Sequence, residues 1–398
     1  MKKLWFFIIS TLFVFLCFTS CGSHSTRQEM VKSDSVNISI REINTEQLKL
    51  DSVSTSYEIQ TSIVNNSVAV IDKYFCYLYI FTPDGHLKKK LLGQGSTRNE
   101  TTIGKIAGHC FSKDGKLFLL GFQGDTHIYD SSISLEQILQ TDYSKKSIAD
   151  LKSADCYNKP VDYSKWYEDF TCIESRGKVY FNVSLITPVY NIISTPDTHV
   201  KSVYNLMSID ATKKQEPKLL IKGLPSYYDV NTKNKAPFAS CHFDIDSKGN
   251  FYVAHEADSL IYVYDKNEKL WSVFGVNGQR MKQNYAKCES LEDFGRLYKE
   301  EHATKGFYTS LNYIDETGIL LRTYKQGGKT KHDRMQIYQN GVLIGDVAIP
   351  KGMCIAGYIS PFYYSQVLAD EKEETLKLYR FKLLKSAFFI FLKNDYIL

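Results

Sequence analysis

The sequence predicts an all-β protein made of short antiparallel sheets that are buried on both sides. The chain of 398 residues holds 28 Tyr and 23 Phe but only 9 Pro and 23 Gly, and aromatic residues favour strands over helices. One turn pattern recurs between short apolar runs. Many of these runs are apolar on both faces, whereas a strand with one solvated face would alternate apolar and polar residues.

The recurring turn places an acid or a serine three residues before a glycine, between two strands. It is found at Asp246, Glu174 and Asp315, and with serine at Ser112. A short polar side chain can cap the amides of such a turn, and glycine can take positive φ there. We interpret these acids as turn residues rather than ligands. The glycines concerned are Gly115, Gly177, Gly249 and Gly318.

A second pattern, two apolar strands joined by a polar turn, closes each unit. Its six copies begin at Tyr79, Ile128, Leu206, Tyr262, Met335 and Leu378. Repeated four-stranded sheets that bury both faces stack in a ring, so the sequence predicts a six-bladed β-propeller of four-stranded antiparallel blades over residues 51–398. A pair of β-sandwiches is the alternative, but it requires strands with one solvated face.

Three longer segments, residues 143–170, 188–199 and 279–306, are predicted to emerge between strands on the faces of the ring. The third has helical spacing of Leu291, Phe294 and Leu297. The apolar C-terminal segment 386–398 is expected either to finish the last blade or to pack on the rim.

Residues 1–20 are predicted to be a lipoprotein signal peptide. Two lysines precede an apolar run over residues 4–18, which is shorter than the roughly 20 residues of a membrane-spanning helix and fits a secretory signal. The residues up to Cys21 resemble a bacterial lipobox, with Phe18 where leucine is usual. We expect lipidation of Cys21; an ordinary cleaved signal with an incidental cysteine is the alternative. Residues 21–50 are predicted to be a polar tether and a first strand region.

The remaining composition excludes some partners. The net charge of +5 is small and its lysines and arginines are scattered, which argues against nucleic-acid binding. The absence of CxxC spacing argues against zinc, and no cofactor or metal is predicted. An odd number of cysteines in an oxidising compartment leaves at least one free thiol. The seven cysteines after the lipobox are Cys76, Cys110, Cys156, Cys172, Cys241, Cys288 and Cys354.

The segment 243–275 resembles an NHL-type propeller blade in its turn, both strands and its final Phe-Gly. The whole chain, with its lipobox, resembles the six-bladed β-propeller lipoproteins of Bacteroidota (NHL/TolB-like), most of which have no characterised function. This resemblance implies an outer-membrane-anchored lipoprotein of the cell envelope. Because no acidic cluster directly follows Cys21, we expect it to face the periplasm.

No catalytic motif is present: GxSxG, HExxH, P-loop and GxGxxG patterns are all missing from the sequence. Two polar residues in apolar strands are candidates for ligand binding, His242 on a strand expected to line the channel and Arg322 just after a blade turn. A buried polar side chain needs a partner, which is either a neighbouring blade or a ligand.

Two loops supply further candidates. Arg98 and Glu100 follow a hairpin, where propeller faces are built, although a solvated loop is the simpler interpretation. Trp166 and Tyr167 could stack on a sugar or peptide, although anchoring of the loop explains them as well.

These observations are compatible with two functions. The first is a lipid-anchored propeller that binds a glycan, a peptide or a protein on one ring face. The alternative is a metal-dependent hydrolase or lyase in the central channel, which would need Asn, Asp and Glu from several inner strands to converge on an ion. The acids placed by the sequence lie in turns, so binding is favoured.

The Cys21→Ala variant tests the anchor. We expect it to lose incorporation of radiolabelled palmitate and to move from the membrane fraction to the soluble fraction, because it lacks the thiol that carries the lipid. Cys17→Ala is the matched control and should behave like the wild type. Membrane retention of the Cys21→Ala variant would contradict lipidation at this residue.

Overall fold

Six antiparallel sheets form a ring, and each places its first strand at the centre and its last at the rim. The computed structural model describes residues 31–33, 35–141, 147–165, 170–213 and 216–383. Cys21, Trp166, Tyr167 and the C-terminal segment 386–398 lie outside the described residues. The prediction of a six-bladed propeller is confirmed.

The blades are numbered in chain order. From centre to rim, blade 1 consists of β4 (Ile59–Val64), β5 (Ser67–Asp72), β6 (Tyr77–Phe81) and β7 (Leu87–Leu92), and blade 2 of β8 (Ile106–Phe111), β9 (Leu117–Gly121), β10 (Asp125–Tyr129) and β11 (Leu135–Gln140). Blade 3 consists of β13 (Cys172–Ser175), β14 (Lys178–Ser184), β15 (Tyr204–Asp210) and β16 (Lys218–Lys222), with β12 (Ser164–Lys165) also paired with β14, and blade 4 of β17 (Cys241–Ile245), β18 (Phe251–His255), β19 (Ile261–Tyr264) and β20 (Leu270–Phe274). Blade 5 consists of β21 (Phe307–Ile314), β22 (Ile319–Lys325), β23 (Asp333–Gln339) and β24 (Val342–Ile349), and blade 6 of β25 (Ile355–Ile359), β26 (Phe362–Ser365) and β28 (Thr375–Phe381), with β27 (Leu368–Asp370) beside β28.

The ring is closed by the N-terminal part of the chain. Strand β3 (Thr45–Lys49) pairs antiparallel with β28 and so supplies the rim strand of blade 6. Strands β1 (Val31–Ser33) and β2 (Val36–Ile40) run parallel to the rims of blades 4 and 5. All three fall within residues 21–50, so three strands of the predicted tether and first strand region pair with the ring. The segment is polar because rim strands are exposed to solvent. Even its apolar Val36 is 53% exposed.

The middle strands are buried on both faces, as the sequence predicted. Every residue of Ser67–Asp72 and of Leu117–Gly121 is buried. The core is therefore divided among the spaces between neighbouring blades, where one sheet supplies each wall; Ile71 of blade 1, for example, belongs to the same cluster as Leu119 of blade 2. A sandwich with one solvated face per sheet is excluded.

The antiparallel order separates two faces of the ring. Connections from first to second and from third to fourth strand lie on one face, the turn face. Connections between second and third strands and between blades lie on the other, the insertion face, which holds the long segments 185–203, 223–240 and 275–306. No described helix is both long and apolar enough to cross a membrane. The described helices are α1 (Ile148–Leu151), α2 (Pro196–Ser202), α3 (Thr232–Lys235) and α4 (Leu291–Thr304), with 3-10 turns at Ala154–Asn158, Pro160–Asp162, Ser226–Tyr228 and Ala236–Phe238.

Helix α4 confirms the predicted helical spacing in the third insertion. The Ser290 hydroxyl accepts the amide of Asp293 at 3.1 Å and caps its N-terminus. Leu297 is buried, but Leu291 is 39% exposed, so the apolar face is narrower than predicted. Near its C-terminus, His302 Nε2 lies 3.0 Å from a carboxylate oxygen of Glu256, which ties the helix to blade 4.

The turn face confirms most of the predicted turn chemistry. Asp246 Oδ1 accepts the amide of Asn250 at 2.8 Å, and Glu174 Oε1 accepts that of Gly177 at 2.7 Å. The glycines of all four turns have positive φ, between 66° and 87°. Asp315 differs, because its carboxylate accepts the amide of Ser247 in the neighbouring blade at 3.0 Å. It joins two adjacent turns instead of capping its own.

Arg380 connects the three segments that meet where the ring closes. Its guanidinium contacts both carboxylate oxygens of Glu46 on β3, at 2.8 and 3.1 Å, and Asp84 of blade 1 at 2.8 Å. It also lies 4.4 Å from the centre of the Phe362 ring. Ion pairing and planar stacking of this kind suit arginine better than lysine.

The Arg380→Ala variant is therefore expected to lower the free energy of unfolding by about 1–2 kcal/mol, because it removes a charge network and leaves two carboxylates unpaired. Denaturant unfolding measures the change. Arg296→Ala is the matched control, since Arg296 also pairs with two carboxylates but on the exposed face of α4. Its effect should be clearly smaller, because solvent screens exposed ion pairs. Equal losses in the two variants would contradict a role of Arg380 in closure.

Candidate functional site

A polar cavity of about 400 Å³ occupies the centre of the ring. All six blades contribute to its lining, whereas an ordinary inter-blade space is bounded by only two. This volume lies in the range of small-molecule sites, about 300–1,000 Å³. One polar side chain from each blade illustrates the lining: Gln60, His109, Thr171, His242, Asn312 and Gln366.

The cavity lies towards the insertion face. The inner strands start on this face, and the lining residues come mostly from their first halves, as with Gln60 on β4 and His242 on β17. Lys73 and Gln366 line it just beyond the ends of second strands, which finish on the same face. The long insertions therefore surround the end of the channel at which the cavity lies.

His109 is held in one tautomer by two cavity side chains. Gln60 Oε1 accepts hydrogen bonds from both the main-chain N–H and the Nδ1 of His109, at 3.2 and 3.1 Å. An amide oxygen only accepts, so Nδ1 carries the hydrogen and Nε2 accepts the Ser62 hydroxyl at 2.9 Å. Burial, assisted by the charge of Lys73, lowers the pKa of His109 to about 3. The imidazole is therefore neutral at pH 7.

Asp244 is an acidic side chain in the cavity wall. Burial raises its pKa to about 7, although its two oxygens accept the amides of Tyr313 and Ile245, each at 2.7 Å. The nearby carboxylates of Asp315 and Asp246 raise the pKa further. Asp244 thus changes its charge in the physiological pH range.

Blade 5 adds neutral polar groups to the wall. The hydroxyls of Thr309 and Ser310 both lie within hydrogen-bond distance of the Thr323 hydroxyl, at 2.7 and 2.6 Å. Asn312 Oδ1 is buried and has no hydrogen-bond partner among the described residues. A buried acceptor of this kind is costly unless a water or a ligand satisfies it.

The donors that a calcium ion needs are not assembled here. Among the described residues, no group of three His, Cys, Asp or Glu side chains could hold a metal ion. The cavity instead presents amides, hydroxyls and a neutral imidazole, and the carboxylate of Asp244 is occupied by two main-chain amides. Calcium prefers six to eight oxygen ligands, several of them carboxylates.

Other cavities lie off the axis. One of about 580 Å³ is at the rim, bounded only by the N-terminal segment 39–46 and by blade 6 around Phe362 and Arg380. Two more are smaller than the axial cavity. One of about 70 Å³ is mainly apolar and lies between blade 3 and the insertions, with Phe294 of helix α4 in its wall. The other, of about 370 Å³, lies on the turn face between blades 4 and 5, beside the stacked rings of Tyr252 and Tyr313. Neither combines size with contributions from all six blades.

Of the candidates that the sequence singled out, His242 lines the cavity. Its Nε2 lies 3.2 Å from the main-chain oxygen of Tyr308 in blade 5 and so donates to it. The partner that a buried polar residue needs is therefore supplied, at this nitrogen, by the neighbouring blade.

Arg322 is completely buried but does not line the cavity. Its Nη2 donates to Gln336 Oε1 at 2.6 Å and to the main-chain oxygen of Val276, two residues after the last strand of blade 4, at 3.1 Å. Its guanidinium lies 3.8 Å from the centre of the Tyr308 ring. It joins blades 4 and 5, which is the neighbouring-blade alternative that the sequence left open.

Arg98 and Glu100 lie on the connection between blades 1 and 2, apart from the cavity. The Glu100 carboxylate accepts the amide of Thr97 at 3.0 Å, and this hydrogen bond lowers its pKa. The main-chain oxygen of Glu100 accepts the hydroxyl of Tyr129 at 2.8 Å. This loop is thus anchored locally on blade 2.

Sequence reasoning missed Gln60, Ser62, His109 and Asn312. They are separated by up to 252 positions in the chain and meet only when the ring closes. A signal existed nonetheless, because each interrupts the apolar first strand of a unit with a polar side chain.

The fold defines a class: a six-bladed β-propeller with a polar axial cavity. Solved structures of Bacteroides proteins share the fold of this chain. A member of the DUF4221 family from Bacteroides vulgatus aligns with a TM-score of 0.61 at 12% identity, covering 88% of this chain and 98% of that one. A Bacteroides fragilis protein described as exported aligns with a TM-score of 0.51 at 12% identity, covering 90% and 99%. No family model matches the chain, and no curated protein matches its sequence.

The pH dependence of stability tests the environment of Asp244. Its carboxyl holds a proton more tightly in the folded state, with a pKa of about 7, than in the unfolded state, with the ordinary 3.8. Raising the pH from 5 to 8 therefore removes stability, by about 2–3 kcal/mol from this group. The Asp244→Asn variant should lack this loss when urea unfolding is compared at the two pH values.

Asp130→Asn is the control for this measurement. Hydrogen bonds from Ser134 and Ser132 lower the pKa of Asp130, so that it is ionised in both states at pH 5 and above. This variant should retain the wild-type difference between pH 5 and 8. An Asp244→Asn variant with the same difference as the wild type would show that the pKa of Asp244 is not raised.

Proposed function

We propose that this protein is a cell-envelope binding propeller that takes a small polar ligand in its central cavity. One observation carries the proposal: polar side chains from all six blades converge on one cavity of about 400 Å³ near the insertion face. Most surfaces inside a propeller are apolar and filled. A large polar space at the axis is the feature that a ligand can use.

The chemistry of the wall defines the kind of ligand. Amides, hydroxyls and the neutral imidazole of His109 can donate and accept hydrogen bonds without a strong net charge. The free acceptor of Asn312 requires a donor on the ligand, such as a hydroxyl or an amide N–H. A fragment of a glycan or a peptide has these groups, and the surrounding insertions offer surface to a larger partner that presents it.

The proposed location is the outer membrane, with the domain facing the periplasm. The signal sequence and Cys21 support this assignment. Structural similarity to a Bacteroides protein described as exported is compatible with it. Membership of the Bacteroidota propeller lipoproteins, NHL-like in their blades, is proposed on the same grounds.

Hydrolysis is a second function with one observation in its favour. Ser62, His109 and Gln60 have the connectivity of a nucleophile, a base and an orienting group. An imidazole with a pKa of about 3, however, is a weak base at pH 7, where a general base works best with a pKa near the operating pH. The contacts fit a fixed hydrogen-bond network better than an activated serine.

Ligand binding is tested with the purified full chain against mono- and oligosaccharides and short peptides, by calorimetry. We expect a ligand whose affinity falls by about tenfold or more in Asn312→Ala, because a buried hydrogen bond to the ligand is lost. Asn267→Ala, on an exposed turn-face loop, is the matched control and should bind as the wild type does.

Two results would contradict the proposal. One is a ligand whose affinity is unchanged in Asn312→Ala and also in Gln60→Ala, since it would bind outside the cavity. The other is covalent labelling of Ser62 by a fluorophosphonate at neutral pH, which would favour hydrolysis.

A further inference from the structure

Two buried cysteines of neighbouring blades face each other beside the central cavity. Cys110 lies on β8 and Cys172 on β13, the inner strands of blades 2 and 3, and their Sγ atoms are 3.0 Å apart. Their side chains are only 5% and 8% exposed. A displacement of about 1 Å would bring the sulfur atoms to the bond length of a disulfide, about 2.05 Å.

Other cysteines of the domain have different surroundings. The Sγ of Cys76 contacts the main-chain oxygen of Ile103 at 3.5 Å, and the Sγ of Cys241 contacts that of Asn205 at 3.8 Å. The thiol of Cys288 faces the main-chain oxygen of Ser290 at 3.3 Å. These contacts are typical of cysteines that serve as small buried side chains.

We propose that Cys110 and Cys172 are a disulfide-forming pair that covalently joins the inner strands of blades 2 and 3 in an oxidising compartment. The state of the pair in cells depends on the proposed envelope location, but the proposal does not depend on the ligand. Disulfides persist in the bacterial periplasm, whereas thiols are kept reduced in the cytosol.

The position of the two sulfur atoms suggests the order of the reaction. Cys172 lines the cavity, whereas Cys110 lies behind it. The Cys172 thiolate attacks one sulfur of a disulfide donor, forms a mixed disulfide and releases the first donor thiolate. The Cys110 thiolate then attacks Cys172 Sγ and releases the second. Two electrons and two protons pass to the donor, which ends as two thiols.

Burial assigns the second role to Cys110. It raises the pKa of the Cys110 thiol well above its ordinary value, and the adjacent Cys172 raises it further. A thiol that ionises reluctantly reacts slowly with an external donor. Attack on a mixed disulfide that is already 3 Å away is intramolecular and does not need a high thiolate fraction.

The cross-link closes a loop of 62 residue positions. It restricts the unfolded chain and holds strand β8, which carries His109, next to β13, which begins directly after Thr171 at the cavity wall. The loop-entropy relation for a link of this length, with the unfolding entropy of a chain this size, corresponds to a rise in Tm of about 5 °C.

The test exposes reduced, purified full chain to oxidised glutathione and maps peptides without reduction. We expect a linked peptide containing Cys110 and Cys172, with Tm raised by about 5 °C and lowered again by dithiothreitol. Cys110→Ser and Cys172→Ser should lose this response. Cys241→Ser, which removes another buried thiol from an inner strand, should keep it.

The variants also test the order of the reaction. Cys110→Ser should accumulate a glutathione adduct on Cys172, whereas Cys172→Ser should accumulate little on Cys110. Wild-type protein that keeps both thiols free in excess oxidised glutathione would overturn the proposal, and this result needs no variant to fold.

Acid-quenched cells, alkylated before lysis, report the state of the pair in its natural setting. A linked peptide there supports the proposal together with the envelope location. A pair that cross-links with glutathione in vitro but is fully alkylated in cells would support the pair and contradict the location. The two failures are therefore distinguishable.

Discussion

The structure depends on one constraint: its middle strands bury both faces. The sheet of blade 2, whose strand Leu117–Gly121 is buried throughout, cannot cover both of its apolar faces with one neighbouring sheet. When it stacks between two sheets, each of those sheets still has one apolar face exposed. All faces are covered only when the last sheet packs against the first. The ring is therefore the arrangement that leaves no buried face uncovered. The N-terminal strand Thr45–Lys49 completes it by supplying the rim of blade 6.

The same constraint creates the cavity. The six inner strands converge on one axis, and their side chains do not fill it. Polar residues such as Gln60 and Asn312 are tolerated in otherwise apolar strands because they face this space rather than the inter-blade core. Residues that face the core instead take their partners from protein: Arg322 Nη2 donates to Gln336 and to the main chain of Val276, while its Nη1 has no hydrogen-bond partner among the described residues. Position relative to the axis thus decides whether a polar side chain is available to a ligand.

Much of the fold was predictable from the sequence because its signals are local. The Asp246 turn, the two-sided apolar runs and the helical spacing around Leu297 each depend on a few consecutive residues. A strand region was expected within residues 21–50, but the pairing of this segment with the rims of blades 4, 5 and 6 was not predictable, because solvated rim strands have the polar composition of a tether. Of the residues that line the cavity, the sequence singled out only His242, since the others carry no motif and meet through long-range packing. Asp315 shows the same limit, because its partner is the turn of another blade.

Hydrogen exchange at the closure is the most direct test of this account. Backbone amides of Thr45–Lys49, followed by mass spectrometry in the full chain, should be protected to the same degree as those of another rim strand, Leu135–Gln140 in blade 2. Protection of this kind requires the N-terminal segment to be part of blade 6. Exchange of Thr45–Lys49 as fast as in an unstructured peptide, with Leu135–Gln140 protected, would show that the ring is not closed by this strand.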